Sequence, residues 1–302
     1  MSQPKVFWAV TASLLCLAAC GGPDKPVGSI DQSQREAALR TLLESQFDEV
    51  RSLSEGRVAV RRGVNWAYVD EAGQLITKFV FSGADEFSEG LAAVEVDSKK
   101  GFIDKSGKFA ISPRFLSAGP FRDGLADAQE AGGKAGYIDH TGAFVIAPQF
   151  DIALMFSEGF AAVEQRDKWG FINTAGTFIV RPSFVSARSF SEGLAEVEVG
   201  SLYVKDLDND KPNRWGFIDG TGKLAIPARF DDVWLGFTDG SIPAKVGSKW
   251  GYIDKSGEFF IKPRFDAAQP FVDGIAKVQT GTGAFAESGC INKSGEGVQC
   301  PQ

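Results

Sequence analysis

One pattern limits what this sequence can fold into: a unit of about 35 residues recurs seven times. Its clearest mark is a Gly at 101, 136, 170, 216, 251 and 289, with Ala67 in the same place upstream. The steps between marks are 34, 35, 34, 46, 35 and 38 residues, so an insertion separates the fourth copy from the fifth. A unit this short cannot bury its own apolar face. Neighbours must therefore stack, and the stack must be capped or closed at its ends.

Every unit repeats the same order of parts. Two Phe lie six residues apart, as in Phe81/Phe87, Phe115/Phe121, Phe150/Phe156, Phe184/Phe190 and Phe265/Phe271. An acid-Gly pair follows: Glu55-Gly56, Glu89-Gly90, Asp123-Gly124, Glu158-Gly159, Glu192-Gly193, Asp239-Gly240 and Asp273-Gly274. Small apolar residues then alternate, Ala161 and Val163 or Ala195 and Val197, which is the period of a strand with one buried face. Next come "WAYVD", "KGFID", "AGYID", "WGFIN", "WGFID", "WGYID" and "SGCIN". Each runs into a connection with Asp or Asn first and Gly last, such as "DKSG" or "NTAG". That is the signature of a type I turn closed by a left-handed Gly, with the Asx side chain capping the turn. A short aliphatic strand follows, and in five copies Pro113, Pro148, Pro182, Pro227 and Pro263 are expected to stop it. High Gly (35) and low Met (2) agree with turn-rich β structure.

The seven aligned copies resemble the WG (KWG) repeat family of bacterial proteins across residues ~47 to ~298. The resemblance implies tandem β structure and carries no fixed biochemical role. Three copies lack the Trp (Lys100, Ala135 and Ser288 stand there), and the first lacks the Gly. The expected fold is all-β: seven hairpin or meander repeats over 47–302, preceded by a short capping helix over 31–46. Ser33 to Glu36 fits a capping box, and Leu39, Leu42, Leu43 and Phe47 form one apolar stripe. Two arrangements satisfy the stacking requirement, a closed propeller-like ring and an open β-superhelix. The array starts in mid-unit, so its N-terminal piece could complete the last unit of a ring. Against this, Cys290 replaces the aromatic that follows Gly elsewhere, as befits a cap.

The N-terminus reads as an export signal over 1–19. A single Lys5 precedes the apolar "VFWAVTASLLCLAA", which is too short for a comfortable membrane span. Leu17-Ala18-Ala19-Cys20 resembles the lipobox of bacterial lipoproteins. The resemblance implies acylation of Cys20, and Gly21 in place of Asp implies the outer membrane, with a periplasmic or surface-facing domain. Residues 20–30, with "GGPDKP", are expected to be a flexible tether. Cys290 and Cys300 are then an even pair in an oxidising compartment, expected as a disulfide.

Loss of Lys5 takes the net charge from −7 to −8. An acidic chain with no basic cluster argues against nucleic acid. One His, His140 in "DHTG", leaves no His-based triad and no zinc shell, and no phosphate-cradling loop occurs. No cofactor is expected. The acid of the acid-Gly pair recurs seven times, which marks a structural duty rather than catalysis. In the insertion, Asp206, Asp208 and Asp210 alternate like the start of a calcium loop, but the later ligands are missing, so no metal site is assigned. Trp169, Trp215 and Trp250 share a slot that Lys100 and Ala135 fill elsewhere, so the slot is expected to be half exposed. Packing is the default role of Trp-Gly, and a row of Trp faces that binds a ligand is the alternative. Gly170 is expected to let a bulky side chain approach, Trp169 or a neighbouring Phe. The functional expectation is a non-catalytic scaffold, held to the membrane by lipid, that binds a protein or glycan. The competing expectation is a glycan hydrolase using surface carboxylates.

Overall fold

A computed structural model describes residues 31–200, 213–281, 283 and 286–301. The export signal, Cys20 with the rest of the 20–30 tether, and Asp206, Asp208 and Asp210 lie outside the described residues. The fold is all-β with one short helix, Gln32–Glu44. Seven units follow, each a short antiparallel meander.

The fourth unit shows the plan. Its strands are Ile152–Ala153, Phe160–Gln165, Lys168–Asn173 and Phe178–Phe184, hydrogen-bonded in that order. Between the first two strands, the backbones of Ser157 and Phe160 exchange bonds of 2.8 and 3.1 Å around Glu158-Gly159. Both turn residues are left-handed, with φ of 56° and 82°. This two-residue hairpin matches the right-handed twist of the strands, and it holds the acid in a conformation that Gly adopts at no cost. Between the third and fourth strands, Asn173 Oδ1 accepts from the N–H of Ala175 (3.1 Å) and Thr177 (3.0 Å). Gly176 closes that turn at φ 75°, as the sequence predicts.

The prolines do not stop the fourth strand. Phe178–Phe184 runs through Pro182 by way of a bulge, since Trp169 pairs with Phe184 while Phe171 already pairs with Val180. Pro needs no partner there because the ladder is already broken. The surplus residues arch over Gly170. A Cβ on Gly170 would lie 2.5 Å from Val180 O and 2.7 Å from Pro182 N. The same holds at Gly101, Gly136, Gly216 and Gly251. The Gly of Trp-Gly therefore makes room for the backbone of its own outer strand. The expectation that it admits Trp169 or a neighbouring Phe is corrected.

Units stack through aromatic pairs. The aromatic after each Trp-Gly meets the second Phe of the following unit: Tyr68–Phe87, Phe102–Phe121, Tyr137–Phe156, Phe171–Phe190, Phe217–Phe237 and Tyr252–Phe271, at centroid distances of 4.7–5.4 Å. All twelve rings are buried. Tilted and edge-on pairs of this kind add to the burial of their own area.

The two ends of the stack differ from its middle and from each other. In the first unit, the face bearing Val58, Val60, Ala67 and Val69 has no preceding unit, and it is covered by Leu39 and Leu43 of the helix and by Phe47 just after it. The helix begins at an Asp31 cap, whose Oδ1 accepts from Gln34 N (3.0 Å), and not at Ser33. Ser33 instead donates its hydroxyl to Asp31. The N-terminal strand, Glu49–Val50, pairs with Arg61 and Val60 of its own unit, so it does not complete the last one. In the seventh unit, Cys290 stands where the packing aromatic would be and is bonded to Cys300, with Lys277 exposed on the neighbouring strand. Among the described residues, no hydrogen bond, ion pair or aromatic contact joins the first unit to the seventh. Of the two expected arrangements, the stack is the open one, with a helical cap and a disulfide cap.

Candidate binding groove

The recurring acids have a common partner. Each acid accepts from the N–H of the Gly in the next unit's acid-Gly pair. The rungs are Glu55 to Gly90 (3.0 Å), Glu89 to Gly124 (3.1 Å), Asp123 to Gly159 (2.8 Å), Glu158 to Gly193 (2.8 Å), Glu192 to Gly240 (3.2 Å) and Asp239 to Gly274 (3.2 Å). The ladder ends at Asp273, whose carboxylate has no partner among the described residues. A Lys from the next unit reinforces two rungs: Lys105 on Glu55 and Lys255 on Glu192, each at 3.0 Å. These contacts hold both carboxyls below their ordinary range, against burial that pulls Glu55 in particular the other way. His140 takes the equivalent place on Glu89 (3.4 Å) and stacks on Phe121 at 4.2 Å. Glu158→Ala is expected to cost about 1 kcal/mol, the worth of one hydrogen bond, measured by urea unfolding.

The three candidate Trp are half-buried. Trp169, Trp215 and Trp250 pair across the ladder with Phe184, Phe230 and Phe265 of their own outer strands. Arg188 lies over the Trp215 ring at 4.3 Å, and Lys245 lies over Trp250 at 5.7 Å. Their role in the described structure is packing, with cations on two of the faces.

Several departures from the repeat gather elsewhere, in a groove of about 470 Å³ along the first three units. Arg51, Glu55, Asp85, Glu86, Lys100, Gly119 and Arg122 are among the residues lining it. Lys100 fills the Trp slot of the second unit and reaches Asp85 Oδ2 (2.9 Å) and Ala118 O (3.2 Å). Arg51 approaches the other Asp85 oxygen at 3.5 Å and lies over Trp66 at 4.8 Å. Arg122 stands where four other units have a Ser: Ser54, Ser88, Ser157 and Ser191 donate to the carbonyls of Phe87, Phe121, Phe190 and Phe237 in the next unit. Gly119 occupies a slot filled by Arg51, Asp85, Leu154 and Arg188 in other copies. A Cβ there would collide with the Asp127 carboxylate, which itself replaces the Ala of Ala59, Ala93 and Ala162. Burial pushes the Asp127 carboxyl up to about 6, although nearby Lys100 pulls it down.

Read one at a time, each of these residues looks like repeat decay, and the sequence reading passed over Asp85, Gly119, Arg122 and Asp127. The available signal was their spacing. Asp85, Lys100, Gly119, Arg122 and Asp127 fall within 43 consecutive residues spanning two adjacent copies. Among the described residues, no group of three His, Cys, Asp or Glu could hold a metal ion, and no helix is long and apolar enough to cross a membrane.

A family model described as "WG containing repeat" matches residues 66–99, 101–134, 136–169, 169–203, 215–250 and 250–281. No curated protein matches. Among solved structures, one titled as a eukaryotic initiation factor is similar at 12% identity and a TM-score of 0.55, covering 81% of this chain and 72% of that one. A computationally designed protein, Ika8, is similar at 12% identity and 0.46, covering 76% and 80%. The WD40 β-propeller domain of Doa1 is similar at 11% identity and 0.35, covering 76% and 88%. At such identities the likeness concerns the fold alone.

Proposed function

The chain belongs to the family of WG-containing repeats, and from that premise we propose that it is an outer-membrane-anchored, non-catalytic scaffold that binds a protein or glycan partner. One observation carries this reading. Six of the seven recurring acids are used in holding unit to unit, whereas several departures from the repeat in the first three units gather in one open groove. A scaffold keeps its frame constant and varies what it presents.

The anchor rests on the lipobox resemblance at Cys20. Cys20→Ser is expected to move the protein from the outer-membrane fraction to the soluble periplasm and to abolish globomycin-sensitive processing. Unchanged fractionation would remove the anchor from the proposal. The partner is tested by a photocrosslinker placed at Glu86 in the groove. Capture of one envelope component there, and not from a probe at Val64 on the exposed far hairpin, supports the scaffold.

The hydrolase reading has one observation in its favour. Asp85 is held between Lys100 and Arg51, and Asp127, whose carboxyl burial pushes up to about 6, also feels the Lys100 charge, so one ammonium group faces two carboxyls. Release of reducing ends from envelope polysaccharide, lost in Asp127→Asn, would replace the scaffold with an enzyme.

A further inference from the structure

We infer that the groove, which Arg51 also lines, receives an oxyanion of its ligand, a carboxylate or a phosphate, on Arg122. The inference depends on the scaffold reading only in taking this groove as the docking place.

The acids lining the groove are already answered. Glu55 accepts from Gly90 N and pairs with Lys105. Glu86 accepts from Ser52 N at 3.3 Å. Asp85 lies between Lys100 and Arg51. The donors are not used up in the same way. The Arg122 side chain makes no hydrogen bond or ion pair among the described residues. Arg51 Nε is buried and has no hydrogen-bond partner. A guanidinium presents its N–H groups in a planar fork that matches carboxylate and phosphate geometry, and its charge persists at any working pH.

Arg122 is also a residue the fold does not ask for. A Ser in that slot tethers the next unit through a hydroxyl bond, as Ser88 does to Phe121 at 2.7 Å and Ser157 does to Phe190 at 2.7 Å. The third unit gives up that bond for an exposed, unpaired cation. Lys100 likewise replaces a packing Trp with a charge that reaches into the same groove. The exchange of a tethering Ser for an unpaired Arg, on a groove of ligand size that Lys100 and Arg51 also line, points to an acidic group that binds there.

The test is titration calorimetry on the detergent-solubilised full-length protein with three probes: sodium glucuronate, inorganic phosphate and neutral glucose. Glucuronate, phosphate or both are expected to bind, with affinity falling as salt is added. Arg122→Ser is expected to weaken binding at least about tenfold while its unfolding midpoint stays at or above that of the parent, because the inter-unit tether is restored. Arg122→Gln, which leaves the slot polar, is expected to show the same loss. Binding of glucuronate alone assigns a carboxylate, and binding of phosphate alone assigns a phosphate. If neither binds, if glucose binds as well as glucuronate, or if Arg122→Ser binds like the parent, the inference is overturned. Failure here with groove crosslinking intact would leave the scaffold reading standing. Loss of crosslinking with oxyanion binding intact would do the reverse.

Discussion

Gly170→Ala is expected to be among the most damaging single substitutions in the protein, although it adds one methyl group. The new Cβ would sit 2.5 Å from Val180 O, 2.7 Å from Pro182 N and 2.9 Å from Arg181 C. All three are main-chain atoms of a strand hydrogen-bonded on both sides of the bulge, so no side chain can swing away. The outer strand must lift, and the register of Trp169 with Phe184 and Phe171 with Val180 must slip. Overpacking a core costs ~1–3 kcal/mol, and loss of ladder bonds adds to it, so a loss of about 3 kcal/mol or more is expected in urea unfolding. Gly289→Ala supplies the internal control. It occupies the same slot in the seventh unit, where a Cβ would meet nothing within 4 Å, because that unit's outer strand is only Gly297–Val298. It should leave stability unchanged within about 0.5 kcal/mol. Equal effects of the two substitutions would mean that the arch over Gly170 is not what fixes the glycine.

The same comparison explains why the first unit can carry Ala67. Its outer strand is reduced to isolated bridges at Trp66–Phe81 and Val69–Leu75, so the regular bulged strand that crowds Gly170 is missing there. Sequence alone made the glycine visible and misassigned its cause, because the atoms that crowd Gly170 belong to Val180, Arg181 and Pro182, residues that looked like the end of a strand. The Asx turns were legible because Asn173 reaches backbone only two and four residues on. The partner of Glu158 was not, because it is the N–H of Gly193, 35 residues away, and becomes reachable only once two units are stacked. The disulfide was legible from cysteine count, whereas the groove was not. Lys100 registered as a missing Trp, and the cost of that exchange shows only when Asp85 and Ala118 are seen around its ammonium group.

Glu196→Gln is expected to remove most of a pH dependence that the native chain carries in its fifth unit. Glu196 lies on the strand Leu194–Gly200 at the position of Ala59, Ala93 and Ala162, fully buried against the sixth unit. That unit has one residue more than the others between its two Phe, Phe230 and Phe237, and the surplus bulges at Trp234, Leu235 and Gly236. The bulge is held from the fifth unit. Arg188 donates to the carbonyls of Val233 (2.7 Å) and Trp234 (2.8 Å), and Glu196 Oε1 accepts from Gly236 N (2.8 Å). Glu196 Oε2 is buried with no partner, so ionisation is costly, and burial pushes the carboxyl from 4.5 up to about 7 even though Gly236 N and Arg188 favour the charge. A folded pKa above the unfolded one means that the folded chain holds a proton the unfolded chain has lost between those two values. Stability therefore falls as pH rises from about 4.5 to about 7, by roughly 3 kcal/mol in all, and stays at the lower level above that. Gln keeps an oxygen for Gly236 N and carries no charge to bury. The variant and the parent should match near pH 5, and the variant should be the more stable by up to about 3 kcal/mol at pH 8. A fall of the same sign and comparable size, spread between pH about 4 and about 6, should persist in the variant, because Asp127 is also buried with its carboxyl raised from 3.8 to about 6. Urea unfolding at three pH values decides the matter: parallel pH curves for parent and variant would show that Glu196 is ionised in the folded protein throughout. Glu196→Ala, which restores the residue of the other units, should do worse than Gln at pH 8 by about 1–3 kcal/mol, since it leaves the Gly236 N–H buried without an acceptor.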